Sequence, residues 1–211
     1  MSGIFLAIIS AAIFGFQNAA ARRAVVTATP LQGMIITVPT VVPLVAVMCY
    51  FLGGFQAIQN WSHMTYLLAG AAGVMHFVIG RFCNYVSMQA LGSTLSTPIQ
   101  QLSTIFSLFF AVSFLNETLT GLNVLGILLV GIGPALLISR RQSYSAENTA
   151  GVFKPDLRRG ALYGLICVIG YGSSPILIVL ALQSIQTMPN QMVAEPFAHS
   201  AAILLFSYLF A

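Results

Sequence analysis

Charge is what this sequence has least of. Asp, Glu, Lys and Arg make up 6% of its 211 residues, four acidic and eight basic. Soluble domains carry about 25% charged residues, so a chain this poor in charge has too little polar surface to face water. Hydrophobic residues account for 58%, and the mean hydropathy is +0.92. The bilayer must therefore solvate most of the side chains. A net charge of +4 resting on eight basic residues gives no sign of a nucleic-acid partner. Cysteine is scarce as well. Cys49, Cys83 and Cys167 lie in apolar stretches, without a C-x-x-C pair or a His at ligand spacing. They are expected to be small core hydrophobes, and neither disulfide, metal nor cofactor is indicated. The first apolar stretch, Ile4 to Ala21, has no Lys or Arg before it; Arg22-Arg23 come after it, which disfavours a cleaved signal peptide.

Long apolar runs are abundant. A spanning helix needs about 20 mainly apolar residues, and seven stretches qualify: 4–21, 31–52, 64–88, 94–115, 121–138, 160–183 and 190–211. Arg22-Arg23 with Pro30, Gly53-Gly54, Gly92-Ser93, Asn116 to Thr120 and Met188-Pro189 supply the breaks. The polar segment Arg140 to Arg159 holds most of the charge and cannot sit in hydrocarbon. It is predicted to link a five-helix unit, 1–139, to a two-helix segment, 160–211.

A shift of 157 residues superposes the two parts. Gly3 falls on Gly160, Ile9 on Ile166, Phe14-Gly15 on Tyr171-Gly172, Pro39 on Pro196 and Leu52 on Leu209. A unit of five helices makes its second copy enter from the opposite face, an inverted repeat of the kind found in secondary transporters. The expected fold is an all-α polytopic transmembrane bundle of inverted five-helix repeats, with seven of ten helices present and three more expected beyond Ala211. On that expectation the 211 residues alone do not transport. Basic residues orient the chain. Loops on the side of the N-terminus (side A) carry none, whereas side B has Arg22, Arg23, Arg140, Arg141, Lys154, Arg158 and Arg159. The positive-inside rule makes side B cytoplasmic.

The region from Tyr85 to Ser139 resembles the end of an EamA domain of the drug/metabolite transporter superfamily. The features that match are Pro98, the "LNETLT" junction with Glu117, and Gly126 and Gly131 after it. Phe14-Gly15 and Tyr171-Gly172 resemble the aromatic-Gly pair in the first helix of each unit. The resemblance implies ten helices in the complete protein and a substrate cavity between two halves. It implies transport of a small molecule in a bacterial inner membrane, from a superfamily that carries amino acids, sugars, nucleotide derivatives and drugs.

Polar groups within the apolar stretches are the candidates for function, because each is costly in hydrocarbon. Arg81 is the only basic residue deep in a helix. It is either an interfacial anchor that snorkels to side B or an anion-pairing group in the cavity, suited to a carboxylate or phosphate. Asn84 and Tyr85 follow at i+3 and i+4. The fourth stretch bears a stripe of Ser93, Thr97, Gln100 or Gln101, Thr104 and Ser107 around Pro98. The stripe serves interhelical hydrogen bonds or a cavity wall, with Pro98 as a flexible point. Gln17 and Asn18 occupy positions matching Ser173, Ser174 and Pro175, as expected for a midplane site between repeats. Tyr171 joins this set, and Gly15 and Gly172 are expected at close helix contacts. His76 is a packing residue or a proton acceptor. Glu117 is expected to cap a helix start. Glu195, before Pro196 and four residues from His199, is the candidate for proton coupling or for pairing with Arg81.

The candidate substrate-binding residues are therefore Gln17, Asn18, His76, Arg81, Asn84, Tyr85, Gln101, Thr104, Tyr171 and Ser174. Glu195 and His199 are the coupling candidates, and Gly15, Pro39, Pro98, Glu117, Gly126, Gly172 and Pro196 are structural or hinge positions. The expected function is secondary transport of a small polar or amphipathic metabolite by alternating access. An intramembrane enzyme is the alternative, but it requires an H-x-x-x-H, paired Asp or Ser-His cluster that these residues lack. A non-transporting scaffold is the other, and it predicts no polar cavity.

Overall fold

A computed structural model of the chain describes residues 2–59, 61–115, 120–130, 132, 155–186 and 196–211. Each of the seven apolar stretches is helical over most of its described residues. The helices are α1 (Ser2–Thr27), α2 (Pro30–Phe51), a short α3 (Gly54–Gln59), α4 (His63–Leu91), α5 (Ser93–Leu115), α6 (Gly121–Val130), α7 (Leu157–Gln186) and α8 (Pro196–Leu209). No strand occurs among the described residues. Four of the helices, α2, α4, α5 and α7, are each long and apolar enough to cross a membrane.

Local chemistry explains the helix starts. Thr29 caps α2 by accepting from the Gln32 amide at 3.2 Å, and the Gln32 side chain accepts from the Thr29 amide at 2.9 Å. Pro30 follows at the first helical position, where a missing N–H costs nothing. Ser62 caps α4 through the Thr65 amide, and Asp156 begins α7 by accepting from the Arg159 amide at 3.1 Å. Gly92, at φ +79°, makes the single-residue turn between α4 and α5. The sequence treats residues 53–63 as a loop, yet α3 forms there. A Cβ on Gly54 would lie 2.9 Å from the Ala198 carbonyl, so α3 is seated directly on α8.

The chain direction alternates through the bundle. Leu91 meets Gly160, Gly80 meets Gly170, His76 meets Ser174 and Thr65 meets Ser184, so α4 and α7 run antiparallel. In contrast α5 runs parallel to α7, with Ile99 against Gly164 and Phe106 against Gly172. α8 crosses α4, with Tyr66 against Phe206, Gly70 against Phe210 and Phe77 against Tyr208. Arg22, Arg158 and Arg159 gather at one end: Arg22 donates to the Met88 carbonyl at 2.7 Å, and the Asp156 amide donates to Ala90 at 3.0 Å beside Arg158 and Arg159. The opposite end holds the core of Cys49, Trp61, Ala181, Ile185 and Ile203. There Trp61, Tyr66 and Phe206 pack edge to face at 5.3–6.0 Å.

Small residues set the helix crossings, as expected where lipid removes the hydrophobic drive for association. α7 is the central helix, packed along both α4 and α5. Outward faces of α1, α2 and α6 present large apolar side chains, Phe16, Phe51 and Leu122 each about 80% exposed. That distribution suits a hydrocarbon solvent. All three cysteines are buried free thiols.

One departure from regular α geometry matters. Val74 to Gly80, in the middle of α4, is π-helical, and the Arg81 amide bonds back to the His76 carbonyl. The wider turn lies where the α7 backbone at Gly170 closely approaches the α4 backbone. A Cβ on Gly170 would sit 2.7 Å from the Met75 carbonyl and 2.9 Å from the Gly80 backbone. Such segments are rare and often mark functional sites.

Candidate functional site

α1, α2, α4 and α8 line a partly open cavity of about 490 Å³. Most of its wall is aliphatic: Ala20, Ala24, Val25, Ile36 and Val41 among others. Gln17, Thr37, Thr40, Arg81, Tyr85 and Tyr208 supply its polar groups. Its volume lies within the range of about 300–1,000 Å³ typical of small-molecule sites, and its mixture of apolar wall and few polar groups is typical too.

Arg81 is the charged group of this wall. It is 9% exposed, and its guanidinium carbon lies 5.4 Å above the Phe77 ring. Phe77 in turn stacks on Tyr208 at 3.8 Å, which fixes the ring beneath the cation. No carboxylate lies against Arg81 among the described residues; the one described carboxylate, Asp156, caps α7. Inserting an Arg at mid-helix costs about 2.5–3.5 kcal/mol on translocon scales. A cation–π contact returns about 0.5–2 kcal/mol. The ring therefore offsets only part of the cost, and the cavity must supply the rest through water or an anion. One turn further on, the Tyr85 hydroxyl lies 3.3 Å from Thr37 Oγ1, itself donating to the Gly33 carbonyl at 2.8 Å. Gly33 lets α2 approach, since a Cβ there would meet the Tyr85 ring at 3.3 Å.

A second polar cluster joins α4 to α7. His76 Nδ1 and Ser174 Oγ are 2.8 Å apart, and the imidazole packs against Phe77 at 4.6 Å and Tyr171 at 4.7 Å. The buried Asn84 side chain lies near the Tyr171 hydroxyl. Its Oδ1 is buried without a partner among the described residues. Ser174 also donates to the Tyr171 carbonyl at 3.2 Å.

Comparison with known families settles the class of this architecture. Residues 1–139 match the model of the EamA-like transporter family, which is well over half of the 211-residue chain. The chain belongs to the EamA-like transporter family. It is an integral membrane protein of a transporter family rather than of an enzyme family. No curated protein matches it, and no solved structure does.

Within this EamA-like domain the sequence candidates fall into separate places. Gln17, Arg81 and Tyr85 line the cavity together. Asn18 is buried beside it without lining it. His76, Asn84, Tyr171 and Ser174 form the α4–α7 cluster instead, so the matching positions on α1 and α7 do not converge on one cavity. Arg81 and Tyr85 share a wall as the i+4 spacing predicts, whereas Asn84 turns to α7.

The stripe on α5 also divides. Ser107 donates to the Gly172 carbonyl at 2.7 Å, an interhelical bond. Thr104 faces a smaller cavity of about 310 Å³ against Asn123 and Gly126 of α6. Gln101 is half-buried, and the adjacent Gln100 is buried with Oε1 unpartnered among the described residues. Pro98 is buried within α5, and Pro39 is exposed within α2.

Gly172 meets the expectation of close contact: a Cβ there would fall 2.5 Å from the Phe106 ring. Gly15 does not, because nothing lies within 4 Å of its Cβ position. His199 is buried on α8, with Nδ1 unpartnered among the described residues, and the described part of that helix opens on Pro196. Glu117, Gly131, Glu195 and linker residues 140–154 lie outside the described residues. Thr37, Phe77 and Tyr208 were not foreseen. Thr37 carries a usable signal as a hydroxyl inside an apolar run; Phe77 and Tyr208 look like ordinary lipid-facing aromatics in sequence.

Proposed function

We propose that this protein is a secondary transporter that moves a small polar or amphipathic metabolite by alternating access, with the α1–α2–α4–α8 cavity as its substrate site. The observation that carries this reading is Arg81, a buried cation on the wall of a cavity of about 490 Å³, within a domain of a transporter family. A cation held in the apolar interior is a functional group by default. The π-helical turn just before Arg81 and the buried Pro98 are the points where α4 and α5 depart from regular geometry. Helix movement during an access cycle is easiest at such points. The two-sided reactivity of a cysteine at position 37, on the cavity wall, tests the cycle.

In this proposal 1–139 is the first five-helix unit, 140–159 a cytoplasmic linker and 160–211 the start of an inverted second unit, set in a bacterial inner membrane. The gathering of Arg22, Arg158 and Arg159 at one end of the bundle supports the orientation. A phosphatase reporter inserted in the linker is expected to stay inactive, as it does in cytoplasm. A fully active reporter would reverse the orientation.

A further inference from the structure

The cavity wall narrows the class of substrate. Arg81 is the charged side chain on it, and no described lining residue is acidic. A cationic substrate would meet repulsion with no compensating carboxylate on the described wall. Beside Arg81, one turn along α4, the Tyr85 hydroxyl donates to Thr37 at 3.3 Å, and it becomes a second donor for an anion when it rotates away from Thr37. Gln17 faces the same space from α1. That is a small donor set. Phosphate, with three strongly accepting oxygens, calls for more charge-assisted donors than one guanidinium and one phenol provide. A carboxylate, with two oxygens, matches the two parallel N–H groups on one edge of a guanidinium. The remaining wall has little to offer a sugar or another polyol, since the Ala20, Ala24, Val25, Ile36 and Val41 side chains present no hydrogen-bonding groups. It suits an apolar body.

We propose that the cavity binds an amphipathic monocarboxylate, its carboxylate on Arg81 and Tyr85 and its hydrocarbon body along the aliphatic wall between α1 and α2. The proposal rests on the reading of this cavity as the substrate site. The same chemistry, an anionic head on an apolar body, also occurs in anionic phospholipids. The cavity volume, within the small-molecule range, favours a soluble single-chain acid.

Equilibrium binding of radiolabelled octanoate, octylammonium and octan-1-ol to the full chain in phosphatidylcholine nanodiscs, corrected for empty discs, tests this. Octanoate is expected to bind at least about ten-fold tighter than octylammonium. Arg81→Gln is expected to weaken octanoate by at least about ten-fold while leaving octan-1-ol unchanged, and Arg81→Lys to retain part of the preference. The comparison of the three probes on the unmodified protein stands even if a variant fails to fold. Equal binding of octanoate and octylammonium would overturn the anion assignment and leave the cavity as a site. Binding of none of the three would overturn the cavity as the substrate site as well. Loss of octanoate binding when phosphatidylglycerol replaces phosphatidylcholine would make a lipid the occupant, against the proposal.

Discussion

His76 illustrates how a residue with two open roles acquires one from its neighbours. Its ring lies between Phe77 and Tyr171, with Nδ1 at 2.8 Å from Ser174 Oγ, so it joins α4 to α7. Interhelical hydrogen bonds within membranes average about 0.6 kcal/mol in double-mutant cycles, much less than burial alone suggests. Ser174→Ala is therefore expected to lower stability by about 0.6 kcal/mol, measured by unfolding in mixed detergent micelles. A loss above about 2 kcal/mol would mean the imidazole is left unsatisfied and the cluster acts as one network. At this scale the sequence showed which polar residues lie inside apolar runs. A buried polar side chain in an apolar run is conspicuous, and Arg81, Tyr85, His76 and Ser174 all take part in polar or cavity contacts. It was a poor guide to which of them meet. Arg81 and Asn84 are three residues apart on one helix, yet one lines the cavity and the other serves α7. That division depends on the neighbouring helices, which local spacing does not encode.

Elements are held together by glycine contacts that composition alone ranks equally. The sequence treats Phe14-Gly15 and Tyr171-Gly172 as equivalents, but only the second glycine is at a crossing. Gly170, which carried no sequence signal, is at the tightest approach of α7 to the Met75 carbonyl and the Gly80 backbone. Backbone atoms cannot yield as a flexible side chain can. Gly170→Ala is expected to destabilise the bundle by about 1–3 kcal/mol, as overpacking does. Gly15→Ala, with open space around its Cβ position, is expected to be neutral or to stabilise α1 by up to about 1 kcal/mol through helix propensity. Unfolding of the two variants side by side in the same micelles checks both; equal effects would contradict the crossing at Gly170. The helices themselves were legible because a run of about 20 apolar residues has few alternatives in a bilayer. The π-helical turn at Val74 to Gly80 was not, since no residue pattern within α4 marks it and it lies where Gly170 of α7 meets the α4 backbone.

For the whole molecule, alternating chain direction brings Arg22, Arg158 and Arg159 to one end and an aromatic, apolar core to the other. The cavity lies between them, walled by helices on which Arg81 and Tyr85 face α1, α2 and α8. The central claim is that this cavity opens in turn to each side of the membrane. Its most direct test is a single cysteine at Thr37, in a protein whose Cys49, Cys83 and Cys167 are replaced by Ala, probed with a membrane-impermeant thiol reagent. Alternating access predicts modification by reagent added outside right-side-out vesicles, which reaches the external face, and also by reagent added outside inverted ones, which reaches the cytoplasmic face, while a control cysteine at the fully buried Ala181 stays unmodified. Reaction from one side only, or from neither, would contradict the account.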